Sequence, residues 1–471
     1  MLHRLVPDSG HLPFQRPSRI LVISYHFPPD PAAGARRPLN WVKLLSSVGY
    51  DVEVITARYP GDASDGHRTF AGARVHTVTL PPSARERAVR AHRALRDRIS
   101  PVPVAETAVL SAVEPGNRRY GFLARHLLAW LLLPDDRQGF ILPTAQLARR
   151  LHAEKPFDLI YATMPPFSVA LAARLISRWT KVPWWAEFRD PWVYEGRESM
   201  TRGSALVRYV ERRLEASCLR SARRIVAATD SIAGLLRSKL SPADAPEKVL
   251  VAYNGIPEVS EAVRECARPE PSTLVLLHAG ELYLRRDPTS LLRGLALWRR
   301  SAGCTAPRIQ LHFLGEGRHY RGISVAGMAE ELGISDWVSF TDTSSTAAAE
   351  QAMQDADVLV LLAQHQPAQV PQKLFEYLAI RRPILALADF EGEAARILRR
   401  VGGHVILSPD ADEERIASGI SAVVNEAMLQ RPVGDRGVLE TLTSRRQLSA
   451  VLASLREDIA AGRTDKRVRL P

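Results

Sequence analysis

The sequence predicts an α/β protein with two Rossmann-like domains, each built on a parallel sheet. Its 471 residues exceed what one hydrophobic core usually holds, and 46% of them are apolar. Short runs rich in Val, Ile and Leu alternate along the chain with helix-length amphipathic segments, a pattern typical of parallel sheets covered on both faces. We therefore expect one domain over 1–253 and a second over 254–471.

The predicted strands form two series, one in each half of the chain. The first series comprises 19–24, 51–56, 157–163, 183–188 and 224–229. The second comprises 273–278, 309–314, 337–341, 357–362, 383–387 and 404–407. The apolar pattern stops over 254–271, which we take as the linker, and a last helical pattern over 436–459 predicts a helix that packs back toward the first domain.

Composition excludes several classes of protein. The three cysteines, Cys218, Cys266 and Cys304, are far apart, which argues against a disulfide framework and a structural zinc site and fits a reducing cytosol. Residues 1–18 contain no continuous apolar stretch, and the run 127–133 is far shorter than the roughly 20 apolar residues that cross a bilayer. We expect a cytoplasmic protein with neither a leader nor a membrane span.

The chain is basic, with 63 Lys and Arg against 51 Asp and Glu and a formal net charge of +12. Nucleic acid, anionic lipid headgroups and phosphorylated small molecules are all polyanions that fit this charge. No zinc finger, RNA-recognition signature or basic run interleaved with aromatic residues favours nucleic acid. A non-catalytic polyanion-binding protein stays open as an alternative.

An arginine-rich insertion over about 81–134 interrupts the alternation of strands and helices. Its arginines flank a narrow stripe of Ala and Leu and are Arg85, Arg87, Arg90, Arg93, Arg96 and Arg98. Two interpretations stay open, a solvated basic helix and a helix that lies on an anionic membrane surface. The apolar segment 122–133 that follows favours the membrane surface.

Two polar segments follow strands of the first half, and ligands of open α/β sheets bind beyond such strand ends. The loop 25–37 contains His26, Gly34 and Arg36 and leads into a helix, whose free amides a ligand reaches past the glycine. This loop is equally compatible with a Pro-rich connector. Arg189 and Asp190 follow the strand 183–188, and the carboxylate fits a base, a group that orients a hydroxyl, or a partner of Arg189.

Two segments of the second half fit a phosphorylated ligand. Gly280 and Arg286 lie between a predicted strand and a helix, where a planar guanidinium suits a pyrophosphate. Lys373 and Glu376 share one face of another helix, which either offers a cation for phosphate and a carboxylate for hydroxyls or is a simple i,i+3 ion pair. A nicotinamide enzyme is disfavoured, because Tyr320 stands where the fingerprint Gly-x-Gly-x-x-Gly needs its last glycine.

Taken together, the motifs resemble those of the retaining glycosyltransferases of family 4, which have the GT-B fold of two facing Rossmann-like domains with parallel sheets. They are an N-terminal FPP…G…R loop, FRDPW, the Asn-Gly-Ile linker at 254–256, HAG…Y…RDP, and VPxKLFEYL followed by RPIL. The resemblance covers nearly the whole chain. It implies a nucleotide-sugar donor in the second domain and an acceptor in the first.

The resemblance also implies roles for individual residues. Glu376 matches the carboxylate that holds the ribose hydroxyls of the donor, and Arg286 matches a basic residue that holds its diphosphate. Asp190, beside Arg189, lies close to where many members place a His or Asp next to the reacting carbon.

Two positions depart from the family pattern. Many members have an earlier glutamate that contacts the donor sugar, and Ala368 stands in its place, so we expect the main-chain amides of Gln369 and Val370 to substitute for it. The usual arginine after the strand-end glycine is Glu281, so we expect Lys373 to supply the second positive charge.

The resemblance thus predicts a retaining, hexosyltransferase-type enzyme that acts on a glycan or lipid-linked acceptor in cell-surface polysaccharide or glycoconjugate biosynthesis. We expect no cofactor and no metal, because cationic side chains and a helix end neutralise the leaving diphosphate. The insertion suggests a peripheral enzyme at the inner face of the membrane. A sugar-nucleotide epimerase of the same fold stays open as an alternative.

Overall fold

The computed structural model describes residues 17–59, 67–81, 130, 133–193, 205–257, 273–282, 285–302, 306–315, 317–342 and 345–468. Nearly all of the arginine-rich insertion and most of the predicted linker lie outside these residues. Contacts divide the chain into two compact units. The first comprises Met1–Phe188, Trp192–Ile225 and Ser454–Pro471, and the second comprises Arg189–Pro191 and Val226–Ala453. The domain boundary expected after residue 253 stays a prediction.

The first sheet contains the strands of the first half of the described chain. They are β1 Arg19–Ser24, β2 Asp51–Ala57, β3 His67–Phe70, β4 Ala73–Val78, β5 Leu159–Met164, β6 Trp184–Phe188, β7 Arg224–Ala227 and β8 Val249–Val251. Their order is β3-β4-β2-β1-β5-β6-β7-β8. The pairs from β4 through β2, β1 and β5 to β6 are parallel, and the edge strand β3 runs antiparallel to β4.

All strand pairs of the second sheet are parallel. Its strands and a short hairpin are β9 Thr273–Ala279, β10 Arg308–Leu314, β11 His319–Tyr320, β12 Ile323–Ser324, β13 Val338–Thr341, β14 Val358–Ala363, β15 Ile384–Ala388 and β16 Val405–Leu407. The sheet order is β13-β10-β9-β14-β15-β16, and β11 pairs only with β12 among the described strands. The order reverses direction between β9 and β14, which is the place where ligands bind in open α/β sheets.

The helices of the described chain cover the sheets with their apolar faces. In the first half they are α1 Arg36–Ser47, α2 Ile141–Glu154, α3 Ser168–Thr180, α4 Ala205–Ser221, α5 Asp230–Arg237 and α6 Ala245–Lys248. In the second half they are α7 Thr289–Ser301, α8 Val325–Glu331, α9 Thr346–Asp355, α10 Gln372–Ile380, α11 Glu393–Val401, α12 Glu413–Met428, α13 Arg436–Thr441 and α14 Ser444–Val468. None of the described helices is both long and apolar enough to cross a membrane.

The predicted α/β alternation is confirmed. Every strand predicted from the sequence is present, with ends shifted by at most two residues. The strand predicted over 224–229 ends at Ala227, because the side chain of Thr229 accepts the amide of Ile232 and caps α5. The sequence patterns missed β3, β4, β8 and the short hairpin of β11 and β12, and β3 is a largely exposed edge strand without an apolar run.

The predicted helix over 436–459 is two helices, α13 and α14. Between them Thr443 forms a parallel bridge with Ile256, whose amide donates to the carbonyl of Leu442. Gly255 makes this approach possible, since a Cβ at this position would lie 2.5 Å from the Cα of Ser444 and its φ is +76°. The Asn-Gly-Ile segment therefore docks against the break between the helices, which ends α13.

Candidate active site

The turn after β9 places Arg286 over a glycine. The amide of Gly280 donates to the carbonyl of Leu314, and its φ of +146° belongs to a region that side-chain-bearing residues rarely adopt. A Cβ on Gly280 would lie 3.8 Å from Nη1 of Arg286, which also donates to the carbonyl of Glu281 at 3.4 Å. The guanidinium is thus held at the carboxyl end of β9.

The first turn of α10 carries the ion pair that the spacing predicted. Nζ of Lys373 lies 2.7 Å from Oε2 of Glu376, and only 9% of the Glu376 side chain is exposed, against 26% for Lys373. The residue before the helix is Pro371, whose side chain cannot cap the free amides at this helix end. These amides and the Lys373 ammonium therefore create positive potential at the carboxyl end of β14.

The charged groups of the two segments act on the same buried side chains. Burial lowers the pKa of His278 to about 4, and the positive charges of Arg286 and Lys373 lower it in the same direction. Burial also raises the pKa of Tyr377, on which the charges of both Glu376 and Arg286 act. The structure thus brings together Gly280, Arg286, Lys373 and Glu376 at one edge of the second sheet.

The loop between β14 and α10 is held by main-chain contacts. The amide of Gln366 donates to Asp389, and the carbonyl of Pro367 accepts from the amide of Glu393. The carbonyl of Ala368 accepts from Oγ1 of Thr229 at 2.8 Å. This anchoring fixes the position at which many similar enzymes have a glutamate.

The main-chain amide of Gln369 is hydrogen-bonded within this loop. Its N–H donates to the carbonyl of Gln366 at 3.1 Å, so it is engaged in a turn, while Val370 packs against the hydrophobic core of the second unit. The side chain of Gln369 instead donates from Nε2 to Oδ1 of Asp190 at 2.6 Å. Arg189 and Asp190 belong by their contacts to the second unit, although they follow β6 of the first sheet.

The loop after β1 forms a polar turn in the first unit. Nδ1 of His26 lies 2.6 Å from Oδ2 of Asp30, and the other carboxylate oxygen of Asp30 accepts the amide of Ala32. Gly34 lies in a single 3-10 turn that leads into α1, and Arg36, the first residue of α1, is exposed to solvent. His26, Gly34 and Arg36 thus lie on one loop beyond the carboxyl end of β1.

A buried network that the sequence patterns did not predict lies beside this loop. Glu187 is fully buried at the end of β6, and its Oε1 accepts from Nε of Arg37, Nε1 of Trp41 and the hydroxyl of Tyr161. Burial acts to raise the pKa of Glu187, but the Arg37 charge and these hydrogen bonds lower it overall. The signal in the sequence was a glutamate inside an apolar strand, and Arg37 rather than Arg36 meets it.

Two Asp-x-Asp sequences occur in the second half, over 355–357 and 410–412. The second follows the carboxyl end of β16, where Oδ1 of Asp410 lies 3.6 Å from Nε2 of His365. Asp357 immediately precedes β14, at the amino end of the strand, where its Oδ2 accepts the amide of Val275. Asp412 caps α12 by accepting the amide of Arg415. These aspartates therefore have structural contacts of their own.

Part of the chain matches a known family model. Residues 33–255 match the family model described as glycosyl transferase 4-like domain. The chain has the GT-B fold that the sequence predicts, and over residues 33–255 it is similar to glycosyltransferases. No curated protein matches its sequence significantly.

Solved structures share this fold over nearly the full chain. Sucrose-phosphate synthase from Thermosynechococcus elongatus is 15% identical, with a TM-score of 0.62 over 94% of this chain and 99% of that one. An α,α-trehalose 6-phosphate synthase from Burkholderia multivorans is 12% identical, with a TM-score of 0.60 over 96% and 99% of the two chains. HepE from Anabaena, in complex with UDP-glucose, is 13% identical, with a TM-score of 0.55 over 93% and 99%. The predicted fold class and the resemblance to family 4 are confirmed.

Proposed function

We propose that this protein is a glycosyltransferase that uses a nucleoside-diphosphate sugar as donor and transfers the sugar with retention of configuration to a glycan or lipid-linked acceptor. The observation that carries the proposal is the shared edge of Gly280, Arg286, Lys373 and Glu376 in the second unit. A nucleoside diphosphate has both an anion and ribose hydroxyls, which these residues complement. That HepE, a structure of the same fold, holds UDP-glucose supports this choice of donor.

In this proposal the cationic groups stabilise the leaving diphosphate. As the glycosidic bond breaks, the diphosphate gains negative charge, so positive groups positioned beforehand stabilise the transition state more than the ground state. Arg286 offers a planar fork, and Lys373 together with the amides at the start of α10 adds a second positive centre. Glu376 accepts from the ribose hydroxyls once Lys373 turns from its carboxylate toward the phosphate. No metal is needed for this charge balance.

Asp190 is the proposed group beside the reacting carbon. Its Oδ1 accepts from Nε2 of Gln369 at 2.6 Å. Its Oδ2 is the oxygen proposed to meet the reacting sugar or the acceptor hydroxyl. The loop with His26, Gly34 and Arg36 is proposed to contact the acceptor.

The proposed setting is the biosynthesis of a cell-surface polysaccharide or glycoconjugate, with the enzyme peripheral on the inner face of the membrane. Its support is the sequence alone: six arginines over 85–98 lie outside the described residues. Each contributes on the order of 1 kcal/mol near anionic lipid, so binding to vesicles is expected at low salt and lost at high salt. Absence of binding at low salt, or binding unchanged after replacement of the six by Gln, contradicts the membrane assignment.

A nucleotide screen tests the donor. We expect one nucleoside diphosphate to stabilise the protein by about 2.7 kcal/mol at a hundred times its dissociation constant. Arg286→Ala removes most of this stabilisation, whereas Arg299→Ala, which replaces an arginine paired with Asp336 away from the edge, retains it. Equal stabilisation of both variants contradicts the proposed diphosphate site.

Product analysis tests the reaction. With donor and a glycan acceptor, NMR of the new glycosidic bond is expected to show the same anomeric configuration as in the donor. Inversion of that configuration contradicts retention. An epimerised sugar formed from the donor without an acceptor identifies an epimerase instead.

A further inference from the structure

One hydrogen bond of the second sheet is replaced by two side chains where β9 and β14 separate. The ladder between these strands ends with the pairs Leu276 with Val358 and Leu277 with Leu359. In a continued parallel ladder, Val360 would face His278 and its carbonyl would accept from the amide of Ala279. Neither of these main-chain groups is left without a partner, because a side chain serves each of them.

His278 serves the carbonyl. Its Nδ1 lies 3.0 Å from the carbonyl of Val360, and since a carbonyl only accepts, the proton of the neutral ring is on Nδ1. The ring is 4% exposed and contacts Phe313 edge-to-face. His278 thus occupies the space that the next ladder bond would close.

Tyr377 serves the amide. Its hydroxyl accepts from the N–H of Ala279 at 2.9 Å, and the side chain is fully buried. The following amide, of Gly280, points the other way to the carbonyl of Leu314 on β10. The strand end before the Gly280 turn is therefore fixed on one side by β10 and on the other by α10.

We propose that His278 and Tyr377 are positioning residues that hold open the crevice between β9 and β14 and set the distance between the two halves of the donor site. The proposal rests on the proposed function, in which Arg286 follows the Gly280 turn and Lys373 and Glu376 lie on α10. Tyr377 directly follows Glu376 on α10 and directly bonds the strand end that carries the turn. Its hydrogen bond to Ala279 therefore joins the strand end that precedes Arg286 to the helix that carries Lys373 and Glu376.

Without the Tyr377 hydroxyl, we expect the ladder between β9 and β14 to extend. In Tyr377→Phe the ring and its packing remain, but the buried amide of Ala279 has no acceptor, and such a group is costly. The nearest remedy is for β9 and β14 to continue their ladder, which requires His278 to leave Val360. The crevice then narrows, and Arg286 moves relative to α10.

Titration of nucleoside diphosphate against wild type and Tyr377→Phe tests the inference. We expect binding to weaken by up to about tenfold, because the variant can gain no more by rearranging than one unsatisfied buried hydrogen bond costs, and binding has to reverse that rearrangement. The matched control is Tyr161→Phe, which also removes a buried hydroxyl bonded at 2.7 Å, but to Glu187 in the first unit. This control is expected to lose thermal stability without a change in nucleotide affinity.

A double-mutant cycle with Arg286→Ala separates positioning from general weakening. If Tyr377 acts by placing Arg286, the Tyr377→Phe change costs much less in the Arg286→Ala background than in wild type. His278→Asn, whose amide is still a donor for Val360, is expected to retain more affinity than His278→Leu. These histidine variants keep the test decisive if Tyr377→Phe fails to fold.

The outcomes are distinguishable. If wild type binds no nucleoside diphosphate, the proposed function and the positioning role both fail. If wild type binds and Tyr377→Phe binds equally well with only a lower melting temperature, the hydroxyl is merely structural and this inference alone is overturned. Strictly additive effects in the cycle overturn it as well.

Discussion

Nζ of Lys373 and Oε2 of Glu376 lie 2.7 Å apart near the start of α10, so the two groups proposed to bind the donor neutralise each other. Because Glu376 is nearly buried, this contact is more than the exposed helical pair that the spacing alone suggests. Donor binding has to exchange it for contacts to phosphate and ribose.

Glu376→Gln is therefore expected to weaken nucleoside-diphosphate binding. The amide keeps the shape of the side chain but loses the charge that strengthens hydrogen bonds from the ribose hydroxyls, a loss of about 1.5 to 3 kcal/mol. Isothermal titration calorimetry measures it. Glu440→Gln breaks an exposed helical pair, with Arg436 at 3.3 Å on α13, and is expected to leave the affinity unchanged. Unchanged affinity in Glu376→Gln removes this residue from the proposed ribose site.

A second prediction concerns the contact between Gln369 and Asp190. Gln369→Glu places a second carboxylate within hydrogen-bonding distance of Asp190, and the repulsion between two negative charges this close disfavours the ionised pair in the variant. If the ionised form of Asp190 is needed for turnover, the acid limb of the kcat profile moves to higher pH. Gln369→Met, similar in length but uncharged, is expected to lower kcat without this movement.

The same contact separates catalysis from binding. Asp190→Asn is expected to suppress kcat while donor affinity changes little, because the proposed donor groups lie on α10 and after β9. A parallel loss of secondary structure by circular dichroism would show a structural role for Asp190 instead. An acid limb that stays in place in Gln369→Glu would show that Asp190 does not control the rate.

A third prediction tests the docking of the Asn-Gly-Ile segment. Gly255→Ala places a Cβ 2.5 Å from the Cα and 2.6 Å from the N of Ser444, and these main-chain atoms cannot turn away. The matched control is Gly322→Ala, which has a similar φ of +83° but nothing within 4 Å of the added Cβ. The control is expected to cost about 1 to 2 kcal/mol of backbone strain.

Gly255→Ala is expected to cost clearly more than this control, because the clash adds to the same strain. Denaturant unfolding of both variants gives the difference. Equal losses would mean that the close approach of residues 254–256 to the helix break contributes nothing to stability.

Gly255 also shows what the sequence predicts and what it leaves open. The strands followed from runs such as 19–24 and 358–363, since a buried parallel strand must be apolar throughout. The helix break at Thr443 had no local signal, because its cause is a segment almost two hundred residues earlier in the chain. Hydrophobic periodicity indicates which positions along a segment are buried, but it does not indicate contacts with segments that are distant in the chain.

The same limit applies to the candidate site. The pair of Lys373 and Glu376 was predictable because both lie on one helix turn. The bond from Arg37 to Glu187 joins residues 150 positions apart, and the bond from Gln369 to Asp190 joins residues 179 apart. The local spacing of residues predicts neither pairing. For this reason the sequence pointed to Arg36, although its neighbour Arg37 is the buried residue.

The last prediction concerns stability in acid and rests on His404. Burial lowers the pKa of His404 from 6.5 to about 4, and neither ring nitrogen has a hydrogen-bond partner in the described part of the chain. The unfolded chain therefore binds a proton at this residue between about pH 6.5 and pH 4, while the folded chain does not. Because the unfolded state binds more protons, the free energy of unfolding falls as the pH is lowered through this window.

His404→Phe removes this proton uptake. Its free energy of unfolding is expected to fall less between pH 7.5 and pH 5 than that of wild type, by up to roughly 1.4 kcal/mol per pH unit within the window. Part of the acid loss remains, because the pKa of His278 is also lowered to about 4. His319→Gln, at an exposed position, is expected to follow wild type. Urea unfolding at both pH values gives the comparison, and a His404→Phe variant with the full wild-type pH dependence would exclude His404 as the source of the acid loss.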